Sequence, residues 1–387
     1  TTFKLDAYGQ ATVRLDPLGR ETRIARNNDG RAVITTAPNG ALTRRTYDNQ
    51  GNVLALTEAE GQPEERTTTF EYDPTFNRLT KVTDPAGKIT TIQLDANGNP
   101  EKVINPLFDE RTRTFNPQGL VLTDTDENGK ITTFTYDATG NVETITNAEG
   151  HVSQFTRDAA GNVLTITEGV GTPEVRTRIF AYDALNRLTS ATDGTPNPPT
   201  LFRYDVQGNL EETELPTGEI EQRTYDTRER VATINDPIRG LTQFSYDGNG
   251  NLLSSINALN DPTLFAYDAA NQLTKITDAL TGEQLFTYDD EGNVDTFTDA
   301  RNKTTTFDYD LLNRQILRTN PLNQITTFTY DTRNNLDTTT DPKGQLISRT
   351  YDELSRLTTI TTPDNTITIG YDAASNPLTV GDRGGPV

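Results

Sequence analysis

The chain has 387 residues, a formal net charge of -21, 32% hydrophobic residues, 28 Gly and 20 Pro, which is thin material for an ordinary globular core. With no Cys it has no disulfide, thiol nucleophile or thiolate metal site, and a single His excludes a multi-His metal centre within one chain. Its acidity (pI about 4.5) opposes binding to phosphate backbones, and no apolar run reaches the 18 or more residues of a membrane-spanning helix. The absence of Met, with Thr1 in first place, reads as a processed or excised piece.

Read from the N-terminus, the chain is one motif repeated. A Tyr followed by Asp returns at Tyr47, Tyr72, Tyr136, Tyr182, Tyr204, Tyr225, Tyr246, Tyr267, Tyr288, Tyr309, Tyr330, Tyr351 and Tyr371. Degenerate copies anchored at Leu5, Arg26, Leu94, Phe115 and Arg157 fill the gaps, giving eighteen anchors, most of them 21 residues apart. Two longer spacings come from the insertions Gly61–Thr67 and Gly171–Thr177, which resemble each other and mark a duplicated block of about five units. Residues 1–378 therefore read as one continuous array, with 379–387 as a short, poorly packed tail.

Each unit carries two turns. The first follows the anchor, as in Tyr136-Asp137-Ala138-Thr139-Gly140: Asp opens the turn and Gly takes positive φ, with Asn77, Asn186, Asn271, Asn313 and Asn334 in the Gly position elsewhere. The second reads Asp84-Pro85-Ala86-Gly87 or Asp341-Pro342-Lys343-Gly344, where Pro presets φ. Between them lie short strands such as Ile131–Tyr136, whose alternation puts Phe134 and Tyr136 on one face. Phe recurs two residues before the anchor at Phe134, Phe180, Phe202, Phe244, Phe265, Phe286, Phe307 and Phe328, which predicts a largely buried aromatic ladder with like rings of neighbouring hairpins in contact. On the return strand, Leu79 and Val82, or Val142 and Ile145, are three apart and need a bulge to share a face. The expected fold is all-β, about 18 antiparallel hairpins forming a spiralling ribbon, shell or tube.

The unit Tyr-Asp-x-x-Gly/Asn, a short Leu/Ile/Val/Thr strand, Asp-Pro-x-Gly, then Thr-x-Phe resembles the YD or Rhs repeat of bacterial Rhs proteins, of Tc toxin shell subunits and of teneurins. That resemblance implies a hairpin ribbon that spirals into a hollow shell around a cargo polypeptide. The chain ends at Gly384-Gly385-Pro386-Val387 without the self-cleaving segment or toxin that the resemblance leads one to look for.

Candidate chemistry along the chain reads as structure. The repeated Asp is an Asx-turn acceptor. Asp124–Gly129 echoes the start of a calcium loop but has Thr135 at the twelfth position, where a bidentate Glu is needed. His151 is a solvated turn residue, Gly194–Pro199 a stiff surface loop, and Asp247–Asn251 a turn that opens no helix. No catalytic, cofactor or metal residue is assigned, and no nucleic-acid partner or membrane span.

The sequence thus points to a non-enzymatic structural β-shell segment, extracellular or at the cell surface, that carries a toxin or other cargo. A filament or adhesion scaffold built end to end is the alternative, and a carbohydrate-binding surface a weaker one, since no Trp is present and the Tyr and Phe are committed to the repeat. Expected partners are further repeats or other copies, joined through terminal strands with exposed edges. About 36 strands at roughly 4.8 Å make a ribbon of about 170 Å, or a single open ring of about 55 Å.

Overall fold

The computed structural model describes residues 1–382 and the backbone of Gly385–Pro386. It contains 37 strands, each paired antiparallel with its neighbours in the chain, from Thr2–Leu5 to Gly385–Pro386. The result is a meander with no crossover, as expected where short turns, most of five residues, join successive strands.

The two turns differ in composition but share one geometry. In the anchor turn, the N–H of Asp137 donates to Asn141 O (2.9 Å) and that of Gly140 to Asp137 O (3.0 Å). The second turn repeats both bonds, Asp84 N–H to Lys88 O and Gly87 N–H to Asp84 O, each 2.9 Å. In each, the leading carboxylate accepts two backbone N–H groups: Asp137 those of Thr139 and Asn141, Asp84 those of Ala86 and Lys88. The fourth residue sits at positive φ, 88° at Gly140, and Asn186, Asn271, Asn313 and Asn334 adopt it too, as read from the sequence, while Asn77 does so as the fifth residue of a turn one residue longer. Glu229, Ser355 and Ser375 occupy the same strained region without the Gly or Asn that would have announced it.

A register shift occurs at each of the eighteen anchors and at none of the second turns. Tyr136 lies opposite Val142 and Thr135 opposite Thr144, so Glu143 is the extra residue. That bulge brings Val142 and Ile145 onto the Phe/Tyr face, with Ile145 opposite Phe134; Leu79 and Val82 meet Tyr72 and Phe70 in the same way. The opposite face carries threonines, joined across strands by hydroxyl pairs such as Thr135–Thr144, Thr224–Thr233 and Thr329–Thr338, each 2.7 Å apart.

No compact core forms. Only Ala41, Ala59, Gly98 and Thr326 are buried among the described residues, and the accessible surface is 22783 Å², against about 15,000 Å² for a compact protein of this mass. The Phe and Tyr of the repeat are consequently half-buried, where the sequence led us to expect them largely buried. Like rings do not stack from unit to unit either, because the return strand intervenes and puts successive Phe two strand spacings, about 9.6 Å, apart. Phe134, Phe155 and Phe265 lie opposite Ile145, Ile166 and Ile276 instead. Among the described residues the one ring pair is Phe286–Phe297, 5.2 Å apart within a single hairpin.

At the C-terminal end, residues 379–382 of the expected tail continue strand Pro377–Asp382, paired with Thr366–Tyr371, and their side chains are mostly exposed. Residues 383, 384 and 387 lie outside the described residues.

Candidate functional site

With so little burial, the ribbon is held by a ladder that ties each unit to the next. The bulge at an anchor turns a carbonyl of the return strand away from its ladder partner, and the next anchor donates to it. Tyr136 Oη–H donates to Val121 O (2.6 Å), Tyr288 to Leu273 O (2.6 Å), Tyr330 to Gln315 O (2.8 Å), and eight further anchor tyrosines make the same bond. Burial raises the phenols of Tyr288, Tyr309, Tyr330 and Tyr351 above the usual tyrosine range. Two degenerate anchors reproduce this bond with a different group: Arg157 Nη1 donates to Val142 O (2.6 Å), and Arg26 donates through Nε and Nη2 to Ala11 O. Leu94 and Phe115 carry no donor with which to do so.

A second tie starts four residues after the anchor-turn Asp. Where this residue is Arg, its Nε holds that Asp and its guanidinium lies over the next Tyr. Arg187, Arg230, Arg314 and Arg356 do this over Tyr204, Tyr246, Tyr330 and Tyr371, at 4.5 to 4.7 Å from the ring centres. Where it is Asn, the amide bridges its own Asp and the next turn's positive-φ residue: Asn251 reaches Asp247 (2.8 Å) and Asn271 (2.7 Å). In the Thr139 variant of this turn, the Thr139 hydroxyl and the Asn141 N–H hold the Asp137 carboxyl down to about 2. This arginine-tyrosine chemistry was missed in the sequence, where the signal is an Arg 15 to 17 residues before a Tyr.

The ribbon also meets itself. Arg20 Nη1 donates to Asp289 O (3.0 Å), the Asn39 N–H to Glu291 Oε1 (2.7 Å), Lys88 Nζ pairs with Glu353 Oε1 (2.5 Å), and Asn128 Nδ2 donates to Asp372 Oδ2 (2.9 Å). These partners are 269, 252, 265 and 244 residues apart. In each case a second turn from the first third of the chain touches an anchor turn from the last third. Twenty-five strands separate the loops of Lys88 and Glu353, which at about 4.8 Å each gives one coil of about 120 Å, some 38 Å across. The ribbon therefore makes about one and a half coils and laps itself along a polar seam, where the sequence alone allowed a single wider ring.

Of the other positions singled out in the sequence, the Asp124–Gly129 loop reaches the seam through Asn128, while His151 and the Gly194–Pro199 loop take no part in it. His151 is exposed on a second turn, its N–H donating to Asn147 Oδ1. Asp124 is taken up by Arg111 and Arg113, at 2.8 to 3.2 Å, and the arginines lower its carboxyl. Thr195 N–H caps Asp193 at the start of the Pro-rich loop. Among the described residues no cluster of three or more His, Cys, Asp or Glu is arranged to hold a metal ion.

The RHS Repeat family model matches residues 62–89, 115–152, 138–173, 246–283, 267–296 and 338–367. Among solved structures, the crystal structure of TcdB2-TccC3-TEV superposes with a TM-score of 0.74 at 17% identity, over 98% of this chain and 23% of that one. TcdB2-TccC3 without its hypervariable C-terminal region gives 0.74 at 16% identity, again over 98% of this chain and 23% of that one. At such identities the likeness is one of fold, and the chain spans about a quarter of those chains. No curated protein matches it. All-β architecture, eighteen bulged hairpins and the repeat matches agree: the chain carries RHS repeats and has the fold of the TcdB2-TccC3 structures.

Proposed function

We propose that the chain is a non-enzymatic wall segment whose coil encloses or carries a cargo polypeptide, in a bacterial protein that works outside the cell or at its surface. The observation that carries this reading is the seam: four contacts between residues 244 to 269 apart turn an open ribbon into a wall around a lumen. One coil is about 18 Å tall, so lapping is what gives such a wall height beyond a single strand length. Every repeated polar group described above is spent on a turn, on the next unit or on the seam, which supports a mechanical role over a chemical one. The likeness to TccC3, which carries a hypervariable C-terminal region, fits a wall whose contents vary.

The test is protection. A disordered polypeptide bearing one protease site, fused after Val387, should be cleaved at least tenfold more slowly than the same polypeptide on a globular carrier of similar mass. Equal cleavage rates would remove the enclosing role.

A further inference from the structure

The seam uses only part of each edge of the ribbon. Second turns from Asp16 to Lys130 face anchor turns from Asp289 to Asn376, and this leaves about one full coil of each edge uncovered. On the second-turn edge, the third turn position shows what seating does. Leu18 lies in the seam cleft beside Asp268, Gln272, Phe286 and Tyr288 and is 46% exposed. The same position beyond the seam is bare: Ile238 80%, Leu259 80%, Leu280 89% and Leu322 76%. The anchor edge shows the same contrast, since Leu311, Leu312 and Leu354, in the lapped stretch, are half-buried, whereas Leu185 (72%) and Val206 (97%), before it, are bare. Three successive tips, Ile238, Leu259 and Leu280, with Leu322 beyond Arg301, form an apolar strip of the kind that marks an interaction surface.

We propose that the uncovered second-turn edge, Ile238 to Leu322, docks the uncovered anchor-turn edge of a second copy of this chain, so that copies stack coaxially, head to tail. The two surfaces are those that already meet in the seam, present in surplus on one molecule and at opposite ends of its coil. The seam's cations, Arg20 and Lys88, come from second turns and its carboxylates, Glu291, Glu353 and Asp372, from anchor turns; Lys303 and Lys343 continue the cationic side along the free edge. Because the joined surfaces differ, the contact is heterologous and propagates as an open series rather than closing as a dimer. Such stacking does not depend on what the coil encloses.

Sedimentation of the 387-residue chain over a concentration series is the experiment. Mass should rise continuously with concentration, without a plateau at the dimer. Leu259→Asp/Leu280→Asp/Leu322→Asp should weaken association at least tenfold, and so should Leu185→Asp/Val206→Asp; all five sites are solvent-facing, so the far-UV circular dichroism should be unchanged. Each variant keeps one intact edge, so an equimolar mixture should form a 1:1 complex and grow no further. A monomer up to several hundred micromolar would overturn the stacking, leaving the free edge to further repeats of a longer ribbon. Association untouched by either variant would also overturn it, because joining would then run through the terminal strands.

Discussion

From Tyr182 onward every anchor is tyrosine, whereas five of the eight anchors before it are Leu, Arg or Phe. The later stretch also holds the four Arg clamps stacked at 4.5 to 4.7 Å on the following Tyr; the earlier stretch has Arg31 over Tyr47 at 5.8 Å and otherwise relies on Asn bridges and the Thr139 turn. Four of the five degenerate anchors, Leu5, Arg26, Leu94 and Phe115, fall within residues 1–130, the stretch whose second turns are lapped by the last third. Stability in a repeat array is a sum over units and their interfaces, so a unit stitched less firmly along the ribbon can be held from the next coil. The contrast teaches that two independent interfaces share the work: the ladder between successive hairpins, uniform only in the second half, and the seam, which reaches the part where the ladder is weakest.

The largest expected effect breaks the strong side. Tyr330→Ala removes a half-buried ring, the bond to Gln315 O and the platform under Arg314, and should cost about 3 kcal/mol. Leu94→Ala, at an anchor with no such bond, should cost about 1 kcal/mol. Hydrogen exchange in strands Ile325–Tyr330 and Ile89–Leu94 would read both locally; equal losses at the two sites would erase the distinction. Arg314→Ala should cost about 1 kcal/mol, and Arg314→Lys should recover less than half of it, because an ammonium cannot hold Asp310 and lie flat on Tyr330 together. Repair should work in the opposite direction: Leu94→Tyr supplies the missing hydroxyl and should stabilise its unit by about 1 kcal/mol in urea unfolding.

The pH dependence follows from the same groups. Asp137 is held down to about 2, below its unfolded value, so its contribution is complete above about pH 4 and is lost as pH falls towards 2. The half-buried phenols of Tyr288 and Tyr309 shift the other way: raised in the fold, they stabilise it fully below about pH 10 and less as pH climbs through their folded values. Thermal melting should therefore decline at both extremes, the alkaline decline being shared among the raised phenols from Tyr72 to Tyr351. The smallest effect is expected at His151→Gln, an exposed turn position with no partner role in ladder or seam, where melting and any assayed activity should be unchanged.

Much of the fold could be read in the sequence because its determinants are local. Asp, Gly and Asn fix the turns within five residues, and the three-residue spacing of Val142 and Ile145 called for the bulge that Tyr136 and Val142 form. The aromatic ladder was misread because alternation within a strand says which face Phe134 occupies but not what the intervening return strand places beside it. The seam was out of reach for a different reason. Lys88 and Glu353 are ordinary turn residues in their own units, and only the curvature accumulated over twenty-five strands brings them together. Arg157 shows a third limit: standing where a Tyr is expected, it makes the same bond to the preceding unit, because the carbonyl of Val142 needs a donor and not a ring.

The closing of the ribbon on itself is tested most directly across the seam. The chain has no cysteine, so Lys88→Cys with Glu353→Cys introduces a single pair whose separation can be measured by spin labels or by oxidative cross-linking. The coil predicts a label distance within about 20 Å and efficient cross-linking within one chain, whereas an unrolled ribbon would hold the two loops about 120 Å apart. A distance distribution centred near that longer value, with no intramolecular cross-link, would contradict the coil and the wall built from it.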